Sequence, residues 1–528
     1  MFTFGKIMIS KKSGKRVARY LREPALAISK GARVAVLLGR HAHGTWRRDI
    51  APRLAMELGI TLGRPPTEQE LEWLMQARRA DTGQKWTRQK RDVAAYDIHA
   101  SPDKSVTLAI IFASSEAERI ALQQAVLQAV DFAMRAFADR LGVALAGPRG
   151  AIRSMRGHVA WCLFQHAASR PTQAVWDGPL GLWIDPNVIL SQDPQVHYHV
   201  LWLNHILCED GQFRALDWGQ LRHIKEFGAI FQAKLADLLR GLGVKVRLHP
   251  TGQAIMIDAV SDLLRTWFSK GRHYIEAKAQ AHARNTGDIW ETMPERWKRR
   301  SRTKAASRRI SRQDGAADYP RWDDEVAATG FHYTTCMTGE APIPLTREQR
   351  MEQAYQFAAR HLADLFQNEI RESFAEKARG GSSSGAKPRV PDQSLGIPFE
   401  AVRHRAACSL IPVGIESARD VDAVVHMLCD RGIVFHGVPH KLVLPDPWDA
   451  ISYFRRIKVG LEPVSPALAS DMAVEGSTAR DSDGERKGWQ KALVDGAPAL
   501  LWHSPTGGCW IWTNPHQLDQ NLEGEIGG

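Results

Sequence analysis

His197 and His199 stand one residue apart in "DPQVHYHVLWLN" (193–204), an apolar run that reads as a buried strand. Side chains alternate along a strand, so the two imidazoles share one face while Tyr198, Val200 and Trp202 share the other. Two same-face imidazoles, about 7 Å apart at Cα, can converge on one cation; they can equally be hydrogen-bonded sheet residues. "FQHAASRP" places His166 at the end of the preceding strand. If the two strands are neighbours, His166 completes a three-histidine set with positions left open for water and substrate, as a catalytic metal requires. A rival pair, His41 and His43 in "GRHAHGTW", is followed by glycine and a charged helix start, and a loop holds ligand geometry less firmly than a strand.

"YDIHASPDKSV" (96–106) supplies Asp97 early in a strand and Lys104 after a proline-containing turn. The carboxylate can serve as base beside a nucleophile and the lysine can contact a phosphate; ordinary surface charges at a strand-to-helix turn are the plainer alternative. Ser101 and Lys104 make an S-x-x-K spacing, but its companion motifs are missing, which discounts a serine acyl-enzyme. Tyr20, one of only eight tyrosines, lies in the basic amphipathic segment "KKSGKRVARYLRE". A phenol becomes a covalent nucleophile once a base steers it, although a lone tyrosine is more often a packing residue. The run "ERWKRRSRTKAASRRISR" (295–312) holds nine Lys/Arg against one Glu. With Trp297 inside it, Arg296, Lys298, Arg299, Arg300 and Arg302 read as a phosphate-tracking surface, with a solvated helix face or linker as the alternative.

The elements that must position these groups follow from hydrophobic period. "VAAYDIHAS" (93–101), "VTLAIIFAS" (106–114) and "GHVAWCLFQH" (157–166) read as strands. Residues 115–141 read as a long amphipathic helix with Ser115 as its cap, and 220–243 as a helix that stops at glycine. Strands interleaved with two long helices predict an α+β layer sandwich rather than a doubly wound sheet. "RGGSSSGAKPRVPD" (379–392) is a flexible linker by composition. The domain reading is therefore 1–335, then helix and linker over 336–392. A small helical region over 393–460 follows, whose three short helices and hairpin suit a winged helix, and then linker and an unassigned tryptophan-bearing tail over 461–528.

The chain has 528 residues, room for about three domains, with 44% hydrophobic and 24% charged residues, ordinary for a soluble globular protein. Its formal net charge of +12 points first to a polyanionic partner. There is no apolar run of bilayer length and no signal-peptide core, so a cytoplasmic location without membrane insertion is expected. Six scattered cysteines without a CxxC pair argue against a disulfide framework and a cysteine zinc site.

Taken in order, "SGKRVARY", "YDIHASPDKSV", "FQHAASR", "DPQVHYHVLWLN" and "GQFRALD" resemble the MobF relaxases of conjugative plasmids, the TrwC/TraI type within the HUH endonucleases. In that family the acidic strand is followed by S-A-P-K-S-V-S and the metal strand reads close to D-P-Q-L-H-T-H; here they read "SPDKSVT" and "DPQVHYH". The resemblance covers roughly residues 1–335. It implies a central antiparallel sheet carrying the three-histidine site, flanked by helices, with a small, mainly helical region C-terminal to it. It also implies a site- and strand-specific DNA transesterase, with Tyr20 as nucleophile, Asp97 helping to activate it, and His166, His197 and His199 holding a divalent metal. Magnesium or manganese are the first choices and zinc the third. The implied partners are single-stranded DNA at an origin of transfer, accessory relaxosome proteins, a separate helicase and a type IV secretion coupling protein, in a bacterial cytoplasm. A rolling-circle replication initiator shares the chemistry, and a catalytically dead DNA-binding derivative is the reading from another class. The chain departs from the family in three respects. The next tyrosine after Tyr20 is Tyr96, the connection from His166 to "DPQ" is long enough to be an inserted loop that could shift His166, and no G-x-x-x-x-G-K-[ST] of a helicase half occurs.

Overall fold

The computed structural model describes residues 2–9, 14–22, 43–86, 92–146, 153–178, 181–307, 319–331, 334–380, 397–435, 438–443, 458–463, 489–494, 497–503 and 509–513. They fall into two units, Met1–Ile343 and Pro344–Gly528.

The first unit contains strands β1 (Phe2–Met8), β2 (Thr45–Trp46), β3 (Val93–Ala100), β4 (Val143–Ala146), β5 (Arg153–His158), β6 (Trp161–Ala168), β7 (Thr172–Trp176), β8 (Trp183–Leu190), β9 (Pro194–Leu203), β10 (Ile206–Cys208), β11 (Phe213–Arg214), β12 (Val246–Leu248) and β13 (Ile255–Ile257). Its main helices are α1 (residues 14–22), α2 (Pro52–Leu58), α3 (Glu68–Leu74), α4 (Lys104–Ile111), α5 (Glu116–Leu141), α6 (Ile224–Gly241), α7 (Asp262–Trp267), α8 (Lys270–Asn285), α9 (Glu295–Ser307) and α10 (Tyr319–Ala328). Five strands form the central sheet in the order β1-β3-β9-β6-β2, antiparallel at every pairing. A second sheet runs β11-β10-β5-β4, and β7 pairs only with β8.

Alternation along β9 decides what lies on either side of this sheet. On one face Trp202 stacks on Trp161 of β6 at 5.4 Å and meets the edge of Phe137 of α5 at 4.8 Å, and Phe137 in turn meets Phe227 of α6 at 5.0 Å. Such aromatic pairs contribute ~0.5–1.5 kcal/mol each beyond their buried area. On the other face Cys162, Phe164, Leu201 and Leu203 join Ala18 and Leu21 of α1 and the apolar stripes of α2 and α3 in one buried cluster. The result is a layer sandwich, helices on both faces of an antiparallel sheet, as the sequence pattern predicts. Gly44 has φ +92°, and a Cβ there would come within 2.5 Å of the Phe164 ring, so only glycine lets the chain enter the edge strand β2 this closely.

Three local expectations need correction. "VTLAIIFAS" is helix α4, not a strand, because Asp103 caps it by accepting from the Ser105 backbone N–H. A continuous apolar run carries no period that separates strand from buried helix, and here the cap was the deciding signal. "GHVAWCLFQH" is not one strand: β5 ends at His158 and β6 begins at Trp161 in the other sheet. The long connection after His166 contains a hairpin, β7–β8, and it leaves His166 directly opposite His197. The long helices appear as read, α5 with Ser115 accepting from the Glu118 N–H, and α6 preceded by a 3-10 turn over Trp218–His223.

In the second unit, helix α11 (Arg347–Gly380) packs with α12 (Phe399–Ser409) and α13 (Arg419–Arg431). Among the described residues of 393–460 there are two helices, not three; the third helix packed there is α11, from before the linker. The expected hairpin is present as β15 (Ile433–Phe435) and β16 (Val438–Val443), in a sheet ordered β14-β17-β16-β15 with β14 (Ile397–Pro398) and β17 (Lys458–Pro463). The tail is not only linker: β18 (Trp489–Val494), β19 (Ala497–His503) and β20 (Cys509–Thr513) form an antiparallel sheet. Most of the expected linker, residues 381–392, lies outside the described residues. No helix among the described residues is long and apolar enough to cross a membrane.

Candidate active site

Three adjacent strands and one helix build the site. β9 presents His197 and His199 on one face, β6 sets His166 opposite His197, and β3 sets His99 opposite His199 with Asp97 two residues before it on the same face. The ring centroids of His166, His197 and His199 lie 4.6–5.3 Å apart, and one ligand atom from each falls within 4.8 Å of the others. All three rings are buried. Helix α1 lays Tyr20 across them, its ring centroid 5.2 Å from His166 and 5.1 Å from His199. The Tyr20 hydroxyl lies 3.1 Å from His199 Nε2.

The hydrogen bonds determine which nitrogen of each ring keeps a lone pair. A carbonyl oxygen can only accept, so His197 donates from Nδ1 to Gln195 O at 2.8 Å and keeps its lone pair on Nε2. His199 donates from Nδ1 to the Asp97 carboxylate at 2.9 and 3.1 Å, which leaves Nε2 as acceptor for the Tyr20 hydroxyl. His166 donates from Nε2 to Leu21 O at 3.3 Å and keeps the lone pair on Nδ1. In their neutral form, three imidazoles with lone pairs so fixed are a donor set suited to a divalent cation, and the partner groups behind them orient the rings.

Asp97 stands on the opposite edge of the His199 ring from Tyr20. Its effect on the phenol therefore runs through His199. Burial alone would raise this carboxyl, but His199 and His99 hold it well below the usual carboxylate range. It therefore stays ionised and fixes the His199 tautomer. His99, which sequence reasoning did not single out, donates to Asp97 at 3.0 Å, and its ring centroid lies 4.1 Å from that of His199. Asp97, His99 and His199 form the second group among the described residues able to hold an ion. The same period-two argument that paired His197 with His199 pairs Asp97 with His99. Neither group includes His43, and His41 lies outside the described residues.

A protein-family model described as "TrwC relaxase" matches residues 35–327. The chain belongs to the TrwC relaxase family. This makes it a DNA relaxase. The matched span contains Asp97 and the three histidines, while Tyr20 precedes it. Among solved structures the chain is similar to the conjugative relaxase TrwC in complex with oriT DNA in its metal-bound form (19% identity, TM-score 0.46). It is also similar to TrwC with a 27-mer comprising the recognition hairpin and the cleavage site (20%, 0.45). Each match covers 63% of this chain and 100% of the other. No curated protein matches the chain.

Two expected DNA-contact groups of the relaxase have other partners. Lys104 begins α4 and donates from Nζ to Pro194 O at 2.6 Å, tying down the first residue of the histidine strand rather than offering its charge outward. Burial pushes this ammonium down to about 8, against the pull of Asp193 and Asp103. Lys270 supports the same corner through Asp193 at 3.2 Å and Glu325 at 2.6 Å. Arg302 of α9 is held by Glu276 at 2.7 and 3.0 Å and by Glu295 at 2.7 Å. Lys298 sits 5.6 Å over the Trp290 ring and donates to Glu291 O, whereas Arg299 and Arg300 are exposed, Arg300 lying 4.9 Å over half-exposed Trp297. The Arg296 side chain and residues 308–312 lie outside the described residues.

Proposed function

We propose that this relaxase cuts one DNA strand at an origin of transfer by metal-dependent transesterification, with Tyr20 as nucleophile. The observation that carries this reading is the Tyr20 hydroxyl 3.1 Å from His199 Nε2, at the edge of the three-histidine cluster. His166, His197 and His199 would hold a divalent ion, which would supply Lewis-acid stabilisation of charge on the non-bridging phosphate oxygens, worth several kcal/mol. His199 Nε2 has one lone pair, which here faces the Tyr20 hydroxyl; were that lone pair to serve as a metal ligand, the hydroxyl would be free to face the scissile phosphate. The Tyr20 hydroxyl gives its proton to water, its oxygen bonds to phosphorus, and the bond from phosphorus to the 3′ oxygen breaks. That oxygen takes a proton from water, leaving a 3′-hydroxyl and a 5′-phosphotyrosyl link. Asp97 keeps His199 in the tautomer that presents Nε2, and Lys104 anchors the start of the strand that carries two of the ligands.

Module boundaries follow the same reading: the relaxase occupies 1–335, and the positively charged surface serves single-stranded DNA, with accessory relaxosome proteins, a separate helicase and a secretion coupling protein as further partners. The test is His197→Ala. It abolishes cleavage of an oligonucleotide carrying the transfer origin while binding stays within a few-fold, and chelator imitates it. Calorimetry showing metal binding lost in a His41/His43 double variant and kept in a His197/His199 one would overturn the assignment.

A further inference from the structure

The β7–β8 hairpin fills the connection between two metal-ligand strands and is not used by the site described above. Its register sets Trp176 directly opposite Trp183, and cross-strand partners share a face. Both indoles are about half exposed, at 52% and 49%. The hairpin lies on α8, where Arg284 donates to Leu182 O at 3.3 Å and so pins the turn, with Gly181 at φ +91°. Between Trp183 and Ile184 of the hairpin and the facing sides of α8 and α9 is a groove of about 370 Å³. Its apolar lining is small (Ala277, Ala281, Ala305), and its polar lining includes Lys278, His282, Arg284 and Lys304, with no carboxylate among the described residues that line it. An aromatic wall beside three cationic side chains suits a flat base joined to a phosphate. The volume lies at the small end of the ~300–1,000 Å³ of ligand sites, room for about one nucleotide.

We propose that this groove is an accessory subsite for single-stranded DNA, in which Trp183 stacks on a base while Lys278 and Lys304 take the adjoining phosphates. Trp176, on the same face of the hairpin, is placed to stack on a neighbouring base, and Arg284 acts as a positioning residue for the turn. The inference rests on the relaxase reading for the class of partner. It adds a contact that the histidine cluster does not provide, on an element that interrupts the path between His166 and His197.

The experiment uses the full chain and fluorescently labelled single-stranded oligonucleotides of increasing length, with a duplex of equal length as control. Trp183→Ala should weaken binding of the longer single strands about 5- to 150-fold, the range given by loss of one base stack, and Trp183→Phe should restore most of it. Lys278→Gln with Lys304→Gln should lower the slope of log affinity against log salt by about 1.4, since each single-strand phosphate contributes about 0.7. Intrinsic tryptophan quenching by oligonucleotide should fall in Trp183→Phe. Unchanged single-strand affinity in Trp183→Ala together with an unchanged salt slope in the lysine variant overturns the subsite, as does an equal loss for single strand and duplex. Protein–DNA adduct formation by the wild-type chain, measured in parallel, tests the relaxase reading separately: an absent adduct with intact Trp183-dependent binding would sink that reading and not the subsite.

Discussion

Replacing Asp97 by Asn isolates the contribution of the group that orients the cluster. The carboxylate accepts two contacts from His199 Nδ1, at 2.9 and 3.1 Å, and one from His99, at 3.0 Å. It is held well below the ordinary carboxylate range, so at neutral pH it carries a full charge opposite the ring edge that faces Tyr20. Asparagine keeps the shape and can still accept one hydrogen bond, but it loses the charge and brings an amide that can turn its N–H toward the ring. Loss of such a partner behind a ligating histidine costs about 10- to 100-fold in metal affinity, or ~1.4–2.8 kcal/mol. Calorimetric titration with manganese should show that loss in Asp97→Asn, and the rate of adduct formation at fixed subsaturating metal should fall in proportion. Saturating metal should recover most of the rate. DNA affinity should stay within about twofold, because backbone contacts elsewhere carry it. A variant with wild-type metal affinity, or one whose rate loss no metal concentration repairs, would refute the argument that Asp97 acts through His199.

His99→Ala should leave metal affinity within a few-fold, as the ion belongs to the triad; loss of binding comparable to His197→Ala would move the ion to the group formed by Asp97, His99 and His199. Lys104 has a folded pKa of about 8, below its unfolded value, so above that pH the unfolded chain binds a proton that the folded chain has released. Wild-type stability should therefore rise relative to Lys104→Met between about pH 8 and 10.4, by on the order of 1–2 kcal/mol after allowing for partial exposure, and denaturant midpoints across that window check the sign. Arg302→Ala should lower stability by about 1 kcal/mol without altering the salt dependence of single-strand binding, whereas Arg299→Ala with Arg300→Ala should reduce that slope by as much as about 1.4. The reverse pattern would show that Arg302 leaves Glu276 to meet DNA.

The layered sheet was legible because its strands announce themselves by alternation: His197, His199, Leu201 and Leu203 on one side, Tyr198, Val200 and Trp202 on the other. That His166 can join His197 and His199 was legible only on the condition that the two strands are neighbours, which the β6–β9 pairing meets. What alternation could not reveal was cross-strand register, and register is what brings His99 against His199 and Asp97 behind it. Helix α4 was misread because all six residues Ser105–Ile110 are buried, which erases the helical period. Lys104 and Arg302 were assigned by charge, but their burial and their bonds to Pro194 and Glu276 are tertiary facts that no local pattern encodes. The hairpin β7–β8 was hidden for another reason: its exposed faces are not apolar in alternation, so the segment had the look of a loop.

Tyrosine chemistry at the histidine cluster is tested most directly by mapping the covalent product. The chain is incubated with divalent metal and an oligonucleotide spanning the transfer origin of its own element, then digested and analysed by mass spectrometry. The expected product is a nucleotide adduct on Tyr20, formed only with metal present and absent in Tyr20→Phe, which still binds the oligonucleotide. An adduct that persists in Tyr20→Phe and maps to another residue, or one that forms equally well in chelator, would contradict it.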